Sequence, residues 1–221
     1  MRGALTTSAL QRSEPEPHCQ VALPPRAIGS NWLAMYESGA LSDVTLKPAS
    51  GEAVRAHKLV LAAGSPVFAA MFTQGMAEAG SGEVTLDGIT GVALGHLVHF
   101  LYAEEPHVDA FDDAEGLLAA ADQYQVPRLV ALCERELCER VEVETAARLL
   151  VLADQHHAAQ LKEHCLEFIG AQPGEVMATE GWQLLGTQPN LLQELFAHQS
   201  GVRKRPSEGG DDGAKPKKKA Q

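Results

Sequence analysis

The chain has 221 residues, 45% of them hydrophobic, with 29 acidic against 18 basic side chains and a net charge of −11. That much apolar material supports a packed core and excludes wholesale disorder, while the anionic balance argues against direct binding of nucleic acid, which rests on neutralising phosphates. The apolar runs fall far short of the roughly 20 residues that a bilayer span requires, so no membrane segment is expected.

Residues 1–26 read as a disordered arm: Glu14-Pro15-Glu16-Pro17 and Pro24-Pro25 deny it a helix, and no apolar h-region marks a secretory signal. Cys19, Cys133, Cys138 and Cys165 lack disulfide-framework spacing, so reduced thiols in a nuclear or cytosolic compartment are expected. Ile28, Trp32, Met35 and Tyr36 fall at i, i+4, i+7 and i+8, one apolar stripe on a short helix that Gly39 can end. Ser42–Lys47 alternates as a strand, and residues 48–52 turn it into an antiparallel partner over 53–56. Helical composition from His57 to Phe72 is interrupted at Ser65-Pro66, where Ser65 suits an N-cap and Pro66 the first turn. A short strand at 83–86 and a helix over 92–102 follow.

From Asp113 to Phe196 only helices are expected, and the chain repeats itself at an offset of 32. Leu117–Gln123 matches Leu149–Gln155, and Leu129, Cys133 and Leu137 match Leu161, Cys165 and Ile169. Two helical hairpins of this kind should stack, each covering the other's apolar face. The end, 201–221, is rich in Gly, Pro and charge and is expected to be disordered; from Arg203 it carries +4, leaving −15 on the rest.

The ordered run Asp43-Val44-Thr45-Leu46, then Ala56-His57-Lys58 through Leu61-Ala62-Ala63 to Ser65-Pro66-Val67-Phe68 and Met71-Phe72, resembles a BTB/POZ domain. Phe100-Leu101-Tyr102, Leu117 to Tyr124 and Leu132-Cys133-Glu134 fit the same family. Residues 141–198, with Leu152-Ala153-Asp154 and Gly181-Trp182, resemble the 3-box and short BACK region of the speckle-type POZ protein group. The resemblance implies an α+β BTB domain over 27–140, a small sheet flanked by helices, then an all-helical 3-box/BACK-like region over 141–200. It also implies a dimeric substrate adaptor for a cullin-3 ubiquitin ligase, promoting ubiquitin-dependent degradation. Members commonly carry a MATH domain ahead of the BTB to capture substrate; here about 25 low-complexity residues stand in that place. Two other readings therefore stay open: a MATH-less regulator that heterodimerises with MATH-BTB homologues, and a nuclear co-regulator of transcription.

By the same resemblance the first helix is a dimer seam, so Ile28, Trp32 and Met35 would contact a second copy, with Asp43 and Lys58 as a charged pair near its base. Packing of that stripe on its own domain, and a mere surface pair, are the alternatives. In cullin-3 adaptors the loop after the Phe72 helix carries a hydrophobic–x–Glu motif, and Met76-Ala77-Glu78 satisfies it. A flexible apolar knob beside a directional charge suits a groove on a partner. Phe196 is the candidate for a second self-association surface. Arg203, Lys204 and Arg205, then Lys215, Lys217, Lys218 and Lys219, suit the acidic grooves of an import receptor, so a nuclear location is expected, with some cytoplasmic.

No P-loop, zincin, nucleophile-elbow or dinucleotide-binding pattern is present, so no enzyme and no cofactor are expected. His96 and His99 share a helix face, but no acidic or Cys ligand has metal-site spacing beside them. Cys133 and Cys138 diverge by about 140° around their helix and read as core thiols.

Overall fold

A computed structural model describes residues 28–73 and 82–200, with side chains from residue 31. Helix α1 (Ile28–Ser38) ends at Gly39, whose φ of 62° lets its N–H turn back to the Tyr36 carbonyl at 3.0 Å. The expected stripe divides. Leu33 and Tyr36 pack on the core, and Tyr36 stacks on Tyr102 with 4.8 Å between ring centroids. At about 100° per residue, Trp32 lies about 70° and Met35 about 130° round the helix from that inward edge. Tyr36, only about 40° round from Trp32, is the member of the stripe that packs on the core, whereas Trp32 and Met35 do not.

Strands β1 (Val44–Ser50) and β2 (Val54–Ala56) pair antiparallel, Val44 opposite Ala56 and Leu46 opposite Val54, as their alternation predicts. The turn between them is shorter than expected, because β1 runs on through Pro48 to Ser50. Those extra residues find a partner in β3 (Glu83–Thr90), which lies parallel to β1 on its other side and extends four residues past the expected end. The register shifts between Pro48 and Ser50, where a residue without an N–H cannot continue a regular ladder. The sheet order is β2-β1-β3.

Helices α2 (Lys58–Gly64) and α3 (Pro66–Thr73) meet at Ser65. Its buried hydroxyl accepts the Phe68 N–H at 3.3 Å and donates to the Tyr124 carbonyl at 2.6 Å, so the expected cap also ties the helix to a later part of the chain. Phe68 stacks on Tyr124 at 4.6 Å. Helix α4 (Gly91–Ala103), capped by Thr90, carries Leu94, Leu97 and Val98 into one core with Leu46, Val84 and Leu86 of the sheet. Its first residue touches the β1–β2 turn: a Cβ on Gly91 would lie 3.1 Å from the Ser50 carbonyl oxygen and from the Glu52 nitrogen, so any side chain there would push the turn aside by a few tenths of an ångström.

Beyond α4 the described residues are helical. The expected repeat appears as α5 (Ala114–Gln123) with α6 (Pro127–Glu139), then α7 (Ala146–Gln155) with α8 (Ala159–Ala171). Its symmetry reaches the backbone: Gln125 and His157, 32 residues apart, both have φ of 53°. Each is followed by a bond spanning five residues, Val126 N–H to the Ala121 carbonyl at 2.8 Å and Ala158 N–H to the Ala153 carbonyl at 2.9 Å. This is the Schellman closure, which satisfies the last carbonyls of one helix while turning the chain into the next. Short helices α9 (Pro173–Val176) and α10 (Trp182–Gly186) and the longer α11 (Pro189–Gln199) close the end, burying Val176, Leu185, Leu191 and Leu195. No helix among the described residues is long and apolar enough to cross a membrane.

Candidate interaction surfaces

The base of α1 is held by a buried knot around His57. Its ring Nε2 lies 2.8 Å from the Ala40 carbonyl, which can only accept, so Nε2 carries the hydrogen. Nδ1 is then an acceptor and takes the Tyr102 O–H at 2.7 Å, while the same hydroxyl accepts the His57 backbone N–H at 2.8 Å. Burial, opposed by that backbone bond, pushes the Tyr102 phenol up to about 12. One histidine thereby joins the α1–β1 connection, the end of β2 and the end of α4.

On this frame α1 presents Trp32 37% exposed and Met35 half-buried, both outside the apolar core that takes Leu33 and Tyr36. The backbone of Ile28 lies on the same helix. Asp43 and Lys58 are brought together, though not simply as side-chain charges: the Asp43 carboxylate accepts the Lys58 backbone N–H at 2.8 Å and so satisfies the start of α2. Asp43 is exposed on the single chain, so its burial would require a second one. The Lys58 ammonium stands 5.9 Å over the Phe72 ring, and the neighbouring Leu59 is 72% exposed. Leu59 adds apolar surface next to Lys58 that the sequence did not single out.

Met76 and Glu78 lie outside the described residues, as do the seven basic residues of the tail. Helix α3 delivers the chain to that loop at Thr73, and Glu83 resumes it in β3. Farther along, Phe196 is 67% exposed while its neighbours Leu191 and Leu195 are buried, so it projects from an anchored helix.

The two halves are joined by Glu134, whose role the sequence did not disclose. Its buried carboxylate accepts the backbone N–H groups of Gln160 at 2.8 Å and Leu161 at 3.3 Å, and the Gln160 side-chain amide at 3.1 Å. An acidic group from α6 thus caps the positive end of α8. The signal was a glutamate between buried Cys133 and Leu137, where the equivalent residue of the second hairpin is the buried Leu166. Lys162 performs a similar service outside, binding Asp154 at 2.7 Å and Glu194 at 2.6 Å. Burial works against its charge, but the two carboxylates prevail and its pKa is raised.

No acidic or Cys ligand stands at metal-site spacing from His96 and His99 along the chain, but the fold brings His107 and Asp109 beside His96. Glu104 takes a left-handed φ of 58° at the end of α4 and folds the chain back, bringing His107 and Asp109 alongside. His107 is hydrogen-bonded to Asp109, its ring centroid is 6.1 Å from that of His96, and it meets the His99 ring edge-on at 5.2 Å. Cys133 is a core thiol, as expected, whereas Cys138 is only half-buried; Cys165 is buried like Cys133, and burial pushes each of these two thiols up to about 12.

Residues 33–141 match the BTB/POZ domain family and residues 145–196 the BPM/SPOP BACK domain family. Protein maternal effect lethal 26 of Caenorhabditis elegans is 37% identical over 150 residues, which cover 67% of this chain and 38% of that relative. The chain therefore spans well under half the length of that curated relative. A small sheet flanked by helices, followed by an all-helical extension, is the fold that these two families require. Residues 33–141 thus carry a BTB/POZ domain and residues 145–196 a BPM/SPOP-type BACK domain, an architecture consistent with the adaptors of the SPOP/BPM group.

Proposed function

We propose that this protein is a dimeric adaptor or scaffold of a cullin-3 RING ubiquitin ligase. The pairing of BTB with BACK is typical of such adaptors, and these families are generally non-catalytic. The observation that carries the proposal is the outward side of α1: Leu33 and Tyr36 hold the helix to the core while Trp32 stays exposed. A rigid apolar face of that kind suits a twofold partner, which covers it with its own copy. Two subunits then present two ligase arms to one client, and the gain is effective concentration rather than chemistry.

In this mechanism Met76 fills an apolar groove on the cullin and Glu78 supplies a charged contact beside it. Glu134 matters because it fixes the BACK helices relative to the BTB domain, so both parts meet the cullin as one surface. Phe196 offers a second place for dimers to chain, and the basic tail directs the protein to the nucleus through an import receptor. The test is calorimetric titration of the full chain with the cullin-3 N-terminal domain. Met76→Ala with Glu78→Ala should weaken binding by roughly tenfold or more, as loss of hot-spot contacts does. Unchanged affinity in that variant would remove the loop from the interface.

A further inference from the structure

We propose that His96, His107 and Asp109 form a binding site for a divalent transition-metal ion of the zinc class. One imidazole nitrogen from each histidine and one carboxylate oxygen lie within 4.8 Å of one another. Imidazole with carboxylate suits zinc and its neighbours in the first transition row, whereas hard cations such as magnesium prefer all-oxygen sets. Around zinc, bonds of about 2.0–2.1 Å bring such ligand atoms to roughly 3.3 Å apart, so the cluster must contract. His107 and Asp109 can move that far, since their side chains are 52% and 54% exposed, and the ion takes the place of their mutual hydrogen bond. His96 is the fixed member, carried on α4 beside the fully buried Leu97.

A second observation points to the same spot. His99 lies one turn along α4, against His107, and its Nδ1 is buried with no hydrogen-bond partner among the described residues. Protein interiors ordinarily pair such an atom, and His107, whose ring His99 meets edge-on, is the member of the cluster it adjoins. Three protein ligands leave a fourth position for water, which describes an exchangeable ion and not a closed structural site. Bound there, the ion staples residues 107–109 to α4.

The full chain, free of any histidine tag, is titrated with Zn2+ and separately with Co2+ at neutral pH. One equivalent should bind, Co2+ should show visible d–d absorption without a thiolate charge-transfer band, and Mg2+ should not compete. His107→Ala with Asp109→Asn, and independently His96→Gln, should each weaken Zn2+ binding by roughly tenfold or more. His164→Ala, exposed on α8, should leave it unchanged. Equal affinity in the His96 and His107 variants, or a thiolate band showing that cysteine holds the metal, overturns the site. Cullin binding is read separately, so either result leaves the adaptor proposal to its own test.

Discussion

At the scale of single residues, the strongest constraints come from polar groups buried with few partners. Tyr102→Phe removes the acceptor of the His57 N–H and the donor to its ring together, leaving both unsatisfied. The expected loss is about 1–3 kcal/mol, measured by urea denaturation. Glu134→Ala should cost a similar amount, and amide exchange at Gln160 and Leu161 should accelerate because the carboxylate that holds both N–H groups is gone. Cys133 and Cys165, with thiols near 12, should resist alkylation at pH 8 in the native protein and react once it is unfolded. Their raised native values also set a pH dependence. Both states keep these protons below the free-thiol value of about 8.5, whereas above it only the unfolded chain loses them. Stability should therefore fall as pH rises beyond that value, and a Cys133→Ala, Cys165→Ala variant should show a flatter alkaline profile.

At the scale of elements, the helical repeat tests how local geometry is set. Gln125 and His157 occupy left-handed positions where glycine is the usual choice. His157→Gly should raise stability by about 0.5–1 kcal/mol, whereas Gln123→Gly, at the exposed last residue of α5, should lower it by up to about 1 kcal/mol. Thermal melts of the two variants should move in opposite directions. The hairpins themselves were legible in the sequence because Leu129, Cys133 and Leu137 and their counterparts repeat at helical spacing, and burial enforces that spacing. The closures between them were not, because neither Gln125 nor His157 advertises a left-handed conformation. Ser65 was readable as a cap from its place before Pro66, but its second bond, to Tyr124, is a contact 59 residues away. The same limit hid the parallel pairing of β3, which depends on where the chain returns. His107 and Asp109 escaped for a related reason: spacing along the chain says nothing of a fold-back at Glu104.

At the scale of the whole molecule, the proposed assembly rests on the outward side of α1. Trp32 and Met35 were visible as an apolar stripe, but separating them from Tyr36 required the partner ring of Tyr102. If their side of α1 is the seam, Trp32→Glu with Met35→Glu should yield a folded monomer, because the inward Leu33 and Tyr36 are untouched. Circular dichroism should be unchanged while the mass in solution halves. The most direct measurement is light scattering of the purified full chain, alone and mixed with the cullin-3 N-terminal domain. A twofold mass that takes up two cullin domains is the expected result. A monomer, or a dimer whose mass does not change when the cullin domain is added, would contradict the dimeric adaptor.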